Sequence, residues 1–140
     1  MSQQTPLNDP MIGTWKVNLS KSTYNPGPAP QSATNKFEPW EDGVKATIDI
    51  VDAQGNKIHS EASVKFDGKD YRMMGSPIAD TVSANRLNER ETGVVWKKGG
   101  KVVMTGRSVI SGDGRTTTVT QTGTDPAGRA VNNVIVFEKQ

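Results

Sequence analysis

The sequence predicts an all-β protein, a single antiparallel up-and-down β-barrel of about ten strands. Three observations carry this. Apolar residues recur at every second position along most of the chain, which is the period of a strand with one dry and one wet face. Turn signals divide the runs: Asp42-Gly43, Gln54-Gly55-Asn56, Asp67-Gly68, Gly99-Gly100, Asp113-Gly114 and Pro126-Ala127-Gly128 all read as hairpin loops. Val and Thr are abundant, as suits strands, and helical spacing appears nowhere with comparable strength. Such a meander could form an open sheet or two sheets. Closure removes both exposed edges, so a barrel is the economical solution.

Taken in order, Met1 to Pro10 is polar, and residues 1–10 are expected to be a flexible N-terminal segment preceding one domain over 11–140. The first strand, roughly 12–19, holds Ile12-Gly13-Thr14-Trp15-Lys16-Val17. Trp15 is expected to plug the closed end of the barrel, with Gly13 allowing close approach. Lys21 to Gln31 breaks the rhythm with Pro26, Gly27, Pro28 and Pro30. It can be neither helix nor interior strand and is expected to cross one end of the barrel as a polyproline-like connection.

Further strands are expected at roughly 32–41, 44–52, 57–66, 69–74, 80–88, 91–98, 101–110, 115–123 and 129–139. Val44, Ala46, Ile48 and Ile50 share one face, as do Ile58, Ala62, Val64 and Phe66, which leaves His59, Glu61 and Lys65 outside. Gly75-Ser76-Pro77 reads as a wider loop and Asn88-Glu89-Arg90 as a weaker turn. Thr116, Thr117, Thr118 and Thr122 suit a strand with a wet outer face, and Val134 to Lys139 closes the chain as an apolar strand.

Composition narrows the function. A chain of 140 residues with a formal charge of +2 supports one domain with a modest core, and no block of like charge marks a nucleic-acid footprint. There is no cysteine, hence no disulfide or thiol chemistry. No apolar run reaches membrane-spanning length. The N-terminus lacks the apolar core of a signal peptide, so the chain as written is expected in the cytoplasm. A chain trimmed of its signal would look the same, which leaves the periplasm or export as the alternative.

The Gly13-Thr14-Trp15-Lys16 strand opening a meander that ends in Val134 to Lys139 resembles the calycin β-barrels, the lipocalins and fatty-acid-binding proteins. More closely, Gly13-Thr14-Trp15-Lys16, Pro26-Gly27-Pro28-Ala29-Pro30, Asp67-Gly68-Lys69-Asp70-Tyr71, Gly106-Arg107 and Asn132-Asn133-Val134 are similar to a group of small bacterial lipocalin-like proteins. The resemblance implies a lipocalin-like cup over 11–140 that binds a small molecule. It also marks two departures. The helical lid of fatty-acid-binding proteins is replaced by the Pro-rich segment. Their Arg-x-Tyr pair on the last strand falls on Ile135 and Phe137, so that carboxylate clamp is lost. Arg107 stands where a second family arginine has its counterpart.

Several residues could carry binding chemistry. Alternation puts Val82, Ala84 and Arg86 on one face. If that face is interior, the guanidinium needs an inner carboxylate or an anionic ligand; otherwise it snorkels to water. Tyr71, Met73 and Met74 read as an adaptable apolar rim or as core. Trp40 and Trp96 could wall a pocket, and Tyr24 could cap its mouth or anchor its own loop. The expected ligand-binding set is therefore Tyr24, Trp40, Tyr71, Met73, Arg86, Trp96, Arg107 and Phe137. His59 is the sole histidine, so no metal site or haem is expected and no cofactor is implied. No nucleophile elbow or phosphate loop is present.

The expected function is binding of a small, largely apolar or amphipathic molecule by a monomer or dimer, with no nucleic-acid partner. The alternative is an enzyme in the cup, using Arg86, Tyr71 and Asp70 or Asp80 for acid–base chemistry. A third reading is an interaction module with a barrel filled by side chains.

Overall fold

A computed structural model describes residues 8–140. Its strands are β1 (Gly13–Val17), β2 (Thr23–Asn25), β3 (Ser32–Trp40), β4 (Gly43–Val51), β5 (Lys57–Val64), β6 (Tyr71–Met74), β7 (Thr81–Asn88), β8 (Glu91–Lys98), β9 (Lys101–Ile110), β10 (Thr116–Thr124) and β11 (Ala130–Lys139). Each pairs antiparallel with its neighbours, and β1 pairs with both β3 and β11, so β1 and β3–β11 close into a ten-strand barrel. Closure gives each of these ten strands a partner on both sides. The expected strands stand where alternation and turn chemistry put them. Among the described residues, no helix is long and apolar enough to cross a membrane.

The Pro-rich region departs from expectation. Part of it is strand: β2 pairs with Asn132–Val134 of β11, continuing the line that β1 begins at Phe137–Lys139. A 3-10 turn, Leu19–Lys21, bulges out between them and is capped by the Asn18 side chain. The break costs β11 no hydrogen bond. Asn18 N–H donates to Val136 O at 2.7 Å, and Val136 N–H donates to Ser22 Oγ at 2.9 Å. β2 has a partner on one side only, which agrees with the prolines that follow it.

Register fixes which side chains face inward, because antiparallel partners share a face. One row runs Ala84, Val94, Gly106, Gln121, Asn133, Tyr24 from β7 round to β2. Another runs Phe37, Ala46, Ala62, Met73. The core lies inside the barrel and includes Trp15, Val17, Val44, Val64, Ile110, Ile135 and Phe137. β6 is short and bridges only Glu61↔Met74, Ala62↔Met73, Tyr71↔Val82 and Arg72↔Thr81.

Candidate functional site

The same strands build two unlike ends. At one end, which holds the β3–β4, β5–β6, β7–β8 and β9–β10 connections, the interior is dry. Trp15 is 2% exposed and its indole N–H donates to Met11 O at 3.0 Å. Met11 sits buried over it, on a turn in which Ile12 N–H donates to Asp9 O at 3.0 Å. An added Cβ at Gly13, whose φ is +137°, would lie 2.8 Å from the Lys139 side chain, so the expected close approach is to β11. The Lys139 ammonium lies 5.4 Å from the Trp15 ring centre.

Arg86 belongs to this closed end. Its Nη1 lies 3.1 Å from Asp9 Oδ2, and its guanidinium sits 4.4 Å over the Phe66 ring. The inner arginine thus has a carboxylate partner, and the N-terminal segment supplies it. Residues 1–7, the rest of the segment expected to be flexible, lie outside the described residues. Arg86 Nε is buried without a hydrogen-bond partner.

The other half of the barrel is less fully packed. Ile48, Ile50, Ile58, Met73, Val94, Trp96, Val119, Gln121 and Asn133 all point inward by register, yet each stays half-buried. The Trp96 ring comes up against Gly106, which has no Cβ to exclude it. A Cβ there would stand 2.9 Å from the indole ring and 2.9 Å from the Thr120 carbonyl oxygen. Beside Gly106, Asn25 N–H donates to Asn133 Oδ1 at 3.0 Å and Asn133 Nδ2 donates to Gln121 Oε1 at 3.2 Å. Tyr24 adjoins Asn133 on the same face. Burial pushes the Tyr24 phenol up to about 12, so it stays protonated at neutral pH.

Of the expected ligand-binding residues, then, Tyr24, Met73 and Trp96 gather in the open half. Phe137 and Arg86 lie inside the closed half. Tyr71 begins β6 at the closed end rather than at the mouth. Its hydroxyl donates to Asp67 Oδ2 at 2.7 Å, which raises the phenol to about 12 and lowers the carboxyl. Trp40 meets Tyr71 edge-on at 6.4 Å on that same rim, with Lys65 Nζ 5.8 Å from its ring centre. Arg107 does not reach the interior at all. Gly106 is the inward residue there, and Arg107 pairs outside with Glu91, holding that carboxyl below its usual value.

The residues weighed for acid–base chemistry have separate partners: Asp70 binds Lys97 at 3.1 Å, and Asp80 accepts from Gly99 N–H at 3.0 Å. His59 faces outward, as alternation expects, with Nδ1 2.5 Å from Asp49 and Nε2 3.1 Å from Glu61. The two ring nitrogens point to different carboxylates, so the three groups do not converge on one point. A hollow of about 500 Å³ is lined by Lys16, Val17, Asn18, Leu19, Gln31 and Glu138, none of them an expected ligand-binding residue.

Gln121 and Asn133 were not among the expected site residues. A signal existed: Val119 and Ile135 are the inward neighbours that alternate with them.

No protein-family model and no curated sequence matches the chain. Among solved structures, the zebrafish ileal bile acid-binding protein complexed with cholic acid is similar over 94% of this chain and 99% of its own, at 11% identity and a TM-score of 0.51. The siderocalin Ex-FABP, described as functioning through dual ligand specificities, is similar over 94% of this chain and 74% of its own, at 11% identity and a TM-score of 0.40. The first likeness shows the fold, a calycin-like antiparallel β-barrel, as the Gly-x-Trp opening and the apolar last strand lead one to expect.

Proposed function

We propose that the protein binds a small, largely apolar molecule in the open half of its barrel. One observation supports this above all: inward-facing apolar side chains, Ile50, Ile58, Val94 and Trp96 among them, remain solvent-accessible. Apolar surface left wet inside a concave wall is what a ligand would cover, at roughly 25 cal/mol per Å² removed from water. The bile acid-binding protein's complex with cholic acid is consistent with an amphipathic ligand here.

N-phenyl-1-naphthylamine, a neutral probe that brightens in apolar surroundings, tests the proposal. Saturable one-to-one brightening is expected, and Ile58→Trp, which fills the cup from its wall, should abolish it while the thermal melt stays cooperative. Probe binding that ignores both Ile58→Trp and Trp96→Ala would place it elsewhere and refute the cup.

A further inference from the structure

The wall of this cup nearest β2 leaves two hydrogen-bond donors unpaired. Asn25 N–H can only donate, so the atom of Asn133 that faces it at 3.0 Å is the oxygen. The Asn133 amide nitrogen must then face Gln121, at 3.2 Å, and Gln121 must meet it with oxygen. That leaves the Gln121 NH₂ as a donor making no hydrogen bond among the described residues. The Tyr24 hydroxyl, next in the row beyond Asn133, likewise makes none, and burial keeps it protonated. Two donors without partners thus flank Asn133, and the Trp96 ring lies against Gly106, the cross-strand neighbour of Gln121.

No full charge accompanies these donors. Arg86 is engaged by Asp9 at the other end, Arg107 is outside with Glu91, and the Lys139 ammonium lies over Trp15. By register, no Asp or Glu of the described strands in this row points inward. A carboxylate placed here would lose its hydration without a cation, and an ammonium would lose it without an anion. A carbonyl would satisfy the donors at far smaller desolvation cost.

We infer that the open half of the barrel recognises an uncharged carbonyl-type acceptor on a flat apolar frame, with Tyr24 and Gln121 donating to the oxygen and Trp96 covering the frame. This rests on the binding function proposed above and names its ligand class.

Three probes of nearly equal shape separate the possibilities: 2-acetylnaphthalene, 2-isopropylnaphthalene and 2-naphthoate, each measured by equilibrium dialysis. The ketone is expected to bind about 5-fold tighter than the hydrocarbon, the worth of one net hydrogen bond, and the carboxylate weakest. Tyr24→Phe deletes a hydroxyl that bonds to nothing in the protein, so it should leave the melt unchanged. It should also reduce the ketone's advantage while leaving hydrocarbon binding within about twofold. Gln121→Met should do the same to the ketone. If the hydrocarbon binds and the ketone gains nothing over it, or if the carboxylate binds best, this inference falls while the binding function stands. Equal weakening of ketone and hydrocarbon by Tyr24→Phe also overturns it. If none of the three probes binds, the binding function falls and takes this inference with it.

Discussion

The closed and open halves of this barrel are built from the same ten strands, yet they solve opposite problems. At the closed end, segments outside the ladder do the sealing. Met11 lies over Trp15, and Asp9 reaches Arg86 from a turn that belongs to no strand. At the open half no such turn lies over Ile50, Ile58 or Trp96 among the described residues, and beside the Asn133–Gln121 pair two donors, the Gln121 amide and the Tyr24 hydroxyl, have no partner. The comparison teaches that strand alternation makes a hollow wall but not a plug. The most fully buried large side chain, Trp15, lies where a non-strand segment folds back over the core, and half-buried apolar side chains remain at Ile50, Ile58 and Trp96.

The largest effect should come from the plug itself. Trp15→Ala removes the most deeply buried large side chain and the hydrogen bond to Met11, and should destabilise by about 3–5 kcal/mol. A urea melt measures this. A loss below about 1 kcal/mol would erase the contrast drawn between the ends.

Next comes the latch. Asp9 and Arg86 side chains are only 16% and 22% exposed, so removing one leaves the other poorly solvated. Asp9→Ala should cost about 2 kcal/mol, the scale of a charge-assisted hydrogen bond. A double-mutant cycle with Arg86→Met isolates the pair. Additive losses would show that the turn is held by Met11 alone.

In the open half the balance should reverse, with less stability lost and more function. Gly106→Ala places a Cβ 2.9 Å from the Trp96 ring, and the Thr120 carbonyl at the same distance cannot yield as a side chain can. The expected stability cost is on the order of 1 kcal/mol. Probe binding should suffer more, because the indole must leave the wall. If Gly106→Ala spares N-phenyl-1-naphthylamine binding, Trp96 is not the wall of the site.

How much of this was legible in the sequence differs between the same two regions. The strands and the inward face of Val44, Ala46, Ile48 and Ile50 were readable because period-2 alternation and hairpin glycines are local signals. So was the placing of Trp15 in the plug. The latch was not: Asp9 and Arg86 are 77 residues apart, and a polar N-terminal segment carries no periodicity to announce its partner. β2 was hidden because its neighbours Pro26, Pro28 and Pro30 argue for a connection, while its pairing depends on β11 more than a hundred residues later. Arg107 misleads for another reason. Apolar residues fall on both faces of β9, with Val102 and Val109 exposed and Met104 and Ile110 buried, and a register shift near Trp96 and Lys97 disturbs the count. Only the pairing of Gly106 with Gln121 settles which face is inside.

His59 gives the comparison its reference point, since it stands on the outer wall and touches neither end. Its hydrogen bonds to Asp49 and then to Glu61, together with the charges of those carboxylates, raise its pKa above 6.5. A raised folded value fixes the sign of the pH effect. The stability contributed by this site is fully present below the unfolded pKa near 6.5 and disappears as pH rises through the folded pKa. His59→Ala should therefore cost something at pH 5–6 and nothing above the folded pKa. The cost should be small even in acid, because all three side chains are exposed and the pairs are screened by salt. Probe binding in the open half should be unchanged at every pH. Proton NMR of the imidazole checks the cause. Its midpoint should lie above 6.5 and should fall in Asp49→Asn, the nearer partner at 2.5 Å. A midpoint at or below 6.5, or one indifferent to Asp49→Asn, would mean that the two carboxylates do not hold the ring. A change in ligand affinity with His59→Ala would mean that the outer wall is coupled to the cup.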